Sequence, residues 1–318
     1  MNILVTGSCG YIGKVTIAQL SKFEKIDKII GIDVVAATQE LLKIKNYQHF
    51  KCDIRDQEIG KLMHEHNIDT VVHLASILNP PPGMTEDEVE SIEIDGTQNI
   101  LNAAAKSHVK KLIFTSSGAA YGYYADNPNM IKETHQTRGT PHFPYSKHKA
   151  HIERILSDYS KQHPQIKTLI LRPGTILGEN TKGPITDYFQ KNILVGIKGY
   201  KSPFCFIYDK DVCAAILQGC LKPEITGVYN LSGDGIMTLK EIAEGLETKY
   251  LELPRGLMKF AIRILKTVRL TQYSPYQVDF MCFRPVLDNE KLKNHFVDLP
   301  SKTTREVFDI YNTSRNLS

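Results

Sequence analysis

Long apolar runs are missing from this chain. No stretch of about 18 consecutive apolar residues occurs, so no membrane-spanning helix is expected. Paired cysteine spacing is missing too. The six cysteines, at 9, 52, 205, 213, 220 and 282, are scattered without a Cys-x-x-Cys. That argues against a zinc site and a disulfide framework, and suggests a reducing compartment. No strong charge bias is present either, and a formal net charge of +4 over 318 residues makes no case for nucleic acid. The opening MNILVTG has no basic segment ahead of a cleavable apolar one, so a cytoplasmic location is expected. There is no internal repeat and no low-complexity tract; NPPPG at 79–83 is a stiff loop too short for a linker.

What is present is the composition of an ordinary globular protein, 42% hydrophobic and 23% charged. NILVTG (2–7), KIIGID (28–33), TVVHLAS (70–76), KLIFTSS (111–117) and TLILRPG (168–174) are short runs rich in Val, Ile and Leu. Each ends in small or polar residues and reads as a strand. Helical patterns lie between them, at 12–23, 86–106 and 145–162, and Thr85 with Glu88 forms a capping-box signature. Such alternation predicts an α/β fold: a doubly wound parallel sheet of Rossmann type with helices on both faces. After residue 174 the pattern loosens. A strand-like FCFIY (204–208) leads to an Ala-rich helix from Asp211, then GVYNLSG (227–233) and a more helical, basic remainder.

The first chemical signal is TGSCGYIG. Gly7, Gly10 and Gly13 follow the first strand and open the first helix. Gly7 suits the tight turn, Gly10 lets the backbone approach a pyrophosphate, and Gly13 lets helix and sheet pack closely. About 20 residues on, the second strand ends at Asp33. A carboxylate there accepts hydrogen bonds from the ribose hydroxyls and repels a 2′-phosphate. No basic residue follows until Lys43, so the expected cofactor is NAD rather than NADP.

The second signal is PYSKHK (144–149), with Tyr145 one helical turn before Lys149. A free tyrosine, with a pKa of about 10, is a poor base at neutral pH. A lysine on the same helix face favours the phenolate. Such a tyrosine can take a proton from a substrate hydroxyl while a hydride leaves the same carbon. Ser117, at the end of the fourth strand, supplies a hydroxyl to hold the reacting oxygen.

Together these residues resemble the extended short-chain dehydrogenase/reductases, the group that contains the nucleotide-sugar epimerases and dehydratases. The resemblance covers most of the chain. TGxxGxxG is residues 6–13, which adds Tyr11 and Ile12 to the glycine loop. CDIRD matches the adenine-contacting segment through Asp53 and Ile54, and HLAS matches the cofactor-lining strand end at Leu74, Ala75 and Ser76. TSSGAAYG places Thr115 and Ser116 beside the catalytic position Ser117, and LRPGTILG brings Pro173 to the nicotinamide end. FIYDKDVCAAI and GVYNLSG match the late strand, helix and strand. The resemblance implies Tyr145 as base, Lys149 as the residue that tunes it and holds the nicotinamide ribose, and no metal. It implies an NAD-binding domain over 1–172 and 205–232. A smaller, mostly helical substrate lobe is expected over 173–204 and 233–318. A homodimer through helices 86–106 and 145–162 is expected as well.

Four departures bear on the reaction. Gly118 and Ala119 stand where the 4,6-dehydratases carry Asp and Glu, which argues against dehydration. Thr175 stands where the epimerases usually carry asparagine. Glu93 in EIDGT replaces the asparagine of NVxGT. In the C-terminal lobe Arg255, Arg263, Arg269 and Arg284 are unranked candidates for gripping a diphosphate. The leading expectation is an NAD-dependent epimerase-type oxidoreductase acting on a hydroxyl-bearing, nucleotide-linked sugar. The alternative is a net dehydrogenase or reductase of a less polar alcohol or ketone, and a third is an NAD-binding sensor without catalysis. PRGLMKFAIRILKTVRL (254–270) reads as a basic amphipathic helix, either with a solvated basic face or in contact with a membrane surface or acidic partner.

Overall fold

A computed structural model describes residues 1–267 and 274–317. Seven strands form one sheet, all parallel. In chain order they are β1 (Asn2–Thr6), β2 (Lys28–Asp33), β3 (Tyr47–Lys51), β4 (Thr70–His73), β5 (Lys111–Thr115), β6 (Lys167–Pro173) and a last strand at Gly227–Leu231. Across the sheet the last strand comes first, followed by β6, β5, β4, β1, β2 and β3. Helices cover both faces, so the central strands are buried on both sides and read as continuous apolar runs. In β4 every residue is buried. One core cluster joins Ile3, Val5, Ile113 and Leu171 to helix residues Ile17 and Ile216; the other joins Leu4, Val71, Leu112 and Phe114 to Ile100 and Ile152. The order reverses at β1, which has β2 on one side and β4 on the other. Ligands of such sheets bind in the crevice outside the strand ends at that point.

The expected doubly wound sheet is present, with differences of detail. The sequence YQHFK did not announce β3, because this edge strand is too polar to stand out from a loop. Helix 86–106 is interrupted. An α-helical turn Glu86–Glu90, opened by the Thr85–Glu88 capping box, passes into a π-helical turn Ser91–Asp95 before the helix Gly96–Lys106. The FCFIY strand divides at Cys205, whose carbonyl accepts from Thr175 N at 3.0 Å. Phe206–Tyr208 pairs with Thr175–Leu177, while Pro203–Phe204 pairs with Met237–Thr238. The helix expected from Asp211 begins at Asp209. A third core cluster, around Phe189, Phe204, Phe206, Ile242 and Phe308, lies in the C-terminal region.

Candidate active site

The glycine loop leaves β1 at Thr6. Gly7 adopts φ +65°, and a Cβ on it would sit 2.7 Å from Ala75 N. A Cβ on Gly13 would sit 2.2 Å from the Gly7 carbonyl oxygen. No side chain fits either place, so the helix Tyr11–Leu20 can start hard against the sheet. Its N-cap, Gly10, offers no side-chain oxygen, and the first-turn N–H groups remain available to an anion. Asp33 lies beside this loop, accepting from Cys9 N at 2.9 Å and Val35 N at 3.0 Å. The Thr115 hydroxyl, at the end of β5, is buried with no hydrogen-bond partner. An N–H cradle, an adjacent carboxylate and an orphaned hydroxyl fit a dinucleotide. Tyr11 turns away from the cradle, its hydroxyl donating to Asp209 and accepting from Thr181 at 3.3 Å, and Ile12 packs on the core.

Tyr145 and Lys149 lie in the first turns of helix Pro144–Gln162, which opens on a proline already set for helical φ. Lys149 Nζ sits 5.6 Å from the Tyr145 ring centroid and 4.9 Å from that of Phe114. Ser117 is near enough to the Tyr145 phenol to hold its pKa down, and its Oγ accepts from Ala119 N at 3.1 Å. The three residues chosen from the sequence therefore meet at the carboxyl edge of the sheet.

The charge balance there differs from the expectation. Lys149 Nζ lies 3.5 Å from Glu93 Oε2, and both side chains are 2% exposed. The ammonium is matched by a buried carboxylate that acts on the tyrosine in the opposite direction. Burial pushes the Tyr145 phenol up to about 12, the Ser117 hydroxyl opposes this, and the Glu93 charge adds to it. Glu93 projects from the π-helical turn, a type of irregularity frequent at functional sites. Its Oε1 also accepts from Ser76 Oγ at 2.7 Å and Ile77 N at 2.5 Å. A polar chain continues behind it: the Glu93 carbonyl accepts from Thr97 at 2.6 Å, Thr97 meets His73 Nε2 at 3.0 Å, and His73 Nδ1 meets Thr6 at 2.6 Å. Burial first, and Lys149 second, push the His73 imidazole down to about 3, so it stays neutral.

Glu153 follows Tyr145 and Lys149 at helical spacing. It forms a buried ion pair with Arg172, whose Nε donates at 2.9 and 3.0 Å to its two oxygens. Ser116 Oγ donates to the same carboxylate at 2.5 Å, and Arg172 Nη1 donates to Tyr121 Oη at 2.6 Å. Sequence reasoning missed this network, although the spacing 145, 149, 153 on one face was visible. It bolts the helix carrying Tyr145 to β6 and to the loop carrying Ser117.

The remaining sequence candidates divide. Leu74 and Ala75 both donate backbone N–H groups to Thr6 Oγ1 at 3.2 Å, against the glycine loop. Ser76 is held by Glu93, and the Ser116 hydroxyl is spent on Glu153. Pro173 is buried at the end of β6. Asp53 is paired with Arg55 at 2.7 Å, and Ile54 is core, packed where Gly96 leaves room. A Cβ on Gly118 would lie 3.1 Å from Leu287 Cδ1, so a side chain there would have to displace Leu287. Among the arginines, Arg255 pairs with Asp279 at 2.7 Å, Arg263 is exposed, and Arg269 lies outside the described residues. Arg284 stacks 3.9 Å over Phe204 and donates to Thr175 Oγ1 at 3.1 Å, with no carboxylate partner among the described residues. Of the three described arginines, Thr175 thus holds the one that is both partly buried and unmatched by an acid among the described residues.

Comparisons with known proteins bear on the family and the fold. The sequence profile of the NAD dependent epimerase/dehydratase family matches residues 3–231. An uncharacterised protein of Mycobacterium tuberculosis is 23% identical over 99% of this chain and 84% of its own length. The UDP-glucose 4-epimerase of Erwinia amylovora is 32% identical over 58% of this chain and 56% of that enzyme. The solved UDP-glucuronic acid 4-epimerase of Bacillus cereus, in complex with NAD, superposes with a TM-score of 0.75 at 22% identity, over 100% of this chain and 99% of that one.

Proposed function

We propose that this chain, which belongs to the NAD-dependent epimerase/dehydratase family, inverts a hydroxyl-bearing carbon of a nucleotide-linked sugar. The observation that carries the reading is the meeting of Tyr145, Ser117 and Lys149 beside a loop built for a dinucleotide. NAD, held by the glycine loop and Asp33, would supply a reversible hydride acceptor for the substrate carbon, which is what inversion at that carbon requires. Tyr145 Oη takes the hydroxyl proton as that hydride leaves and gives it back on return. Ser117 Oγ donates to the reacting oxygen and keeps it within reach of the phenol. Lys149, held by Glu93, presents its ammonium beneath the tyrosine ring and to the nicotinamide ribose. The first-turn N–H groups of helix Tyr11–Leu20 receive the pyrophosphate, and Asp33 receives the adenosine ribose. Arg284, a cation without an acid of its own among the described residues, suits the substrate's diphosphate.

The proposal includes the division into an NAD-binding domain (1–172 and 205–232) and a substrate lobe, a homodimer through helices 86–106 and 145–162, and a cytoplasmic location. All six cysteines are free thiols, in keeping with a reducing compartment. The substrate class is tested by thermal unfolding of NAD-loaded protein with UDP, dTDP, GDP and CDP and their common sugars. One nucleotide family should raise the melting temperature by mass action. A clear NAD shift with no response to any nucleotide would refute the sugar-nucleotide assignment.

A further inference from the structure

The helix Arg255–Thr267, expected either to turn a basic face to solvent or to contact a membrane surface or acidic partner, divides its basic residues: Arg263 and Lys266 are exposed, while Arg255 and Lys259 are tied to the protein. The basic residues of its first turns face the protein: Arg255 Nη2 lies 2.7 Å from Asp279 Oδ1, and Lys259 Nζ lies 2.9 Å from Asp279 Oδ2. Met258 and Ile262 pack beside them on Ile197, Val278 and Cys282. The outward face is apolar. Leu257 is 51% exposed, Phe260 59%, Ile264 48% and Leu265 40%, at the spacing of one helical stripe. No residue of this helix is buried. Scattered exposed leucines are ordinary, but four large apolar side chains on one outward stripe mark a contact surface.

We propose that this helix docks the enzyme on an anionic lipid surface. All four of its charged residues, Arg255, Lys259, Arg263 and Lys266, are basic. Arg263, three residues from Phe260, borders the apolar stripe and Lys266 stands exposed in the last turn; neither has an ion-pair partner among the described residues, which leaves both free to meet headgroups. An apolar face flanked by cations is complementary to an anionic membrane, with the stripe in the acyl boundary and the basic ends at headgroup level. A second copy of this chain fits less well, because a symmetric pairing sets the same cations beside each other.

The position also matters for the active site. Asp279, which anchors the helix, lines a cleft of about 250 Å³ with Tyr123, Tyr124, His142 and Tyr276. Its neighbour Phe280 packs 4.6 Å from Phe143, and Phe143 lies 5.9 Å from Tyr145, centroid to centroid. A docked helix therefore sets this aromatic cleft, and the tyrosine behind it, close to the lipid surface.

The test is co-sedimentation of the full chain with vesicles of phosphatidylcholine alone and of phosphatidylcholine with phosphatidylglycerol. Binding to the anionic vesicles should be at least about ten-fold stronger and should weaken with salt. Phe260→Ser with Ile264→Ser should abolish it while the thermal shift with NAD remains, and Arg263→Gln with Lys266→Gln should remove the preference for anionic lipid. The chain has no tryptophan, so Phe260→Trp gives a single reporter whose emission should shift to the blue on anionic vesicles alone. Absence of binding, or an unshifted tryptophan, overturns the proposal. So does a concentration-dependent dimer in gel filtration that the two serines dissolve, since the stripe would then belong to a second copy.

Discussion

Replacing Glu93 with glutamine keeps Oε1 as an acceptor for Ser76 and Ile77 and removes only the charge opposite Lys149. The two groups are 3.5 Å apart and 2% exposed, so water cannot take over the role of either partner. Leaving one member of a buried pair alone costs about 3–5 kcal/mol. At roughly 2 °C per kcal/mol in a chain of this size, the melting temperature of Glu93→Gln should fall by about 6–10 °C. Lys149→Met should lose a similar amount. The double variant should recover most of it, because two neutral groups of similar shape carry no desolvation penalty. A thermal or urea double-mutant cycle measures the coupling, expected at about 2 kcal/mol or more. Additive losses would refute the pairing. The same substitution tests the tuning of Tyr145. Removing a negative charge that raises the phenol should lower its pKa. A base works deprotonated, so the rising limb of the pH–rate profile should move to lower pH in Glu93→Gln. An unmoved limb, or one moved to higher pH, would show that Glu93 does not act on the tyrosine.

Other perturbations reach the remaining parts of the site. Asp33→Ser should weaken NAD binding by about ten- to a hundred-fold, as expected for lost hydrogen bonds to a charged group, and should narrow the preference over NADP; calorimetry with both cofactors checks it. Gly13→Ala forces a methyl to 2.2 Å from the Gly7 carbonyl, and should cost about 1–3 kcal/mol of stability as well as NAD affinity, both visible in thermal unfolding with and without cofactor. Arg284→Gln should raise KM for the nucleotide sugar by about ten-fold or more while NAD affinity holds, because only the diphosphate contact is lost. An unchanged KM would return Arg284 to a purely structural role on Phe204.

Much of this was legible in the sequence, for identifiable reasons. Strands buried on both faces must be apolar throughout, so β1, β2, β4, β5 and β6 stood out, whereas the polar edge strand β3 did not. The glycine loop, Asp33, Ser117, Tyr145 and Lys149 were legible because each depends on local spacing at a strand end or along a helix. The counter-ion of Lys149 depends on no local spacing. Glu93 stands far away in sequence, enters from a π-helical turn that leaves no periodic signature, and showed only as a departure from EIDGT's family pattern. For the same reason the expected lowering of Tyr145 by Lys149 was incomplete, since a charge cannot be weighed before its partner is known. The arginines could be ranked only once Asp279 was seen to neutralise Arg255. The helix Arg255–Thr267 was legible as basic and amphipathic, but a helical wheel cannot tell which face the protein covers: Arg255 and Lys259 pair with Asp279, while Leu257, Phe260 and Ile264 face outward.

The most direct measurement of the central claim follows the sugar itself. NAD-loaded enzyme is incubated with the nucleotide sugar chosen by thermal shift, and proton NMR monitors the configuration at each ring carbon while absorbance monitors NADH. The account predicts interconversion of two epimers with no net NADH, abolished in Tyr145→Phe although that variant still binds NAD. Stoichiometric NADH with an oxidised product, or undiminished turnover in Tyr145→Phe, would contradict it.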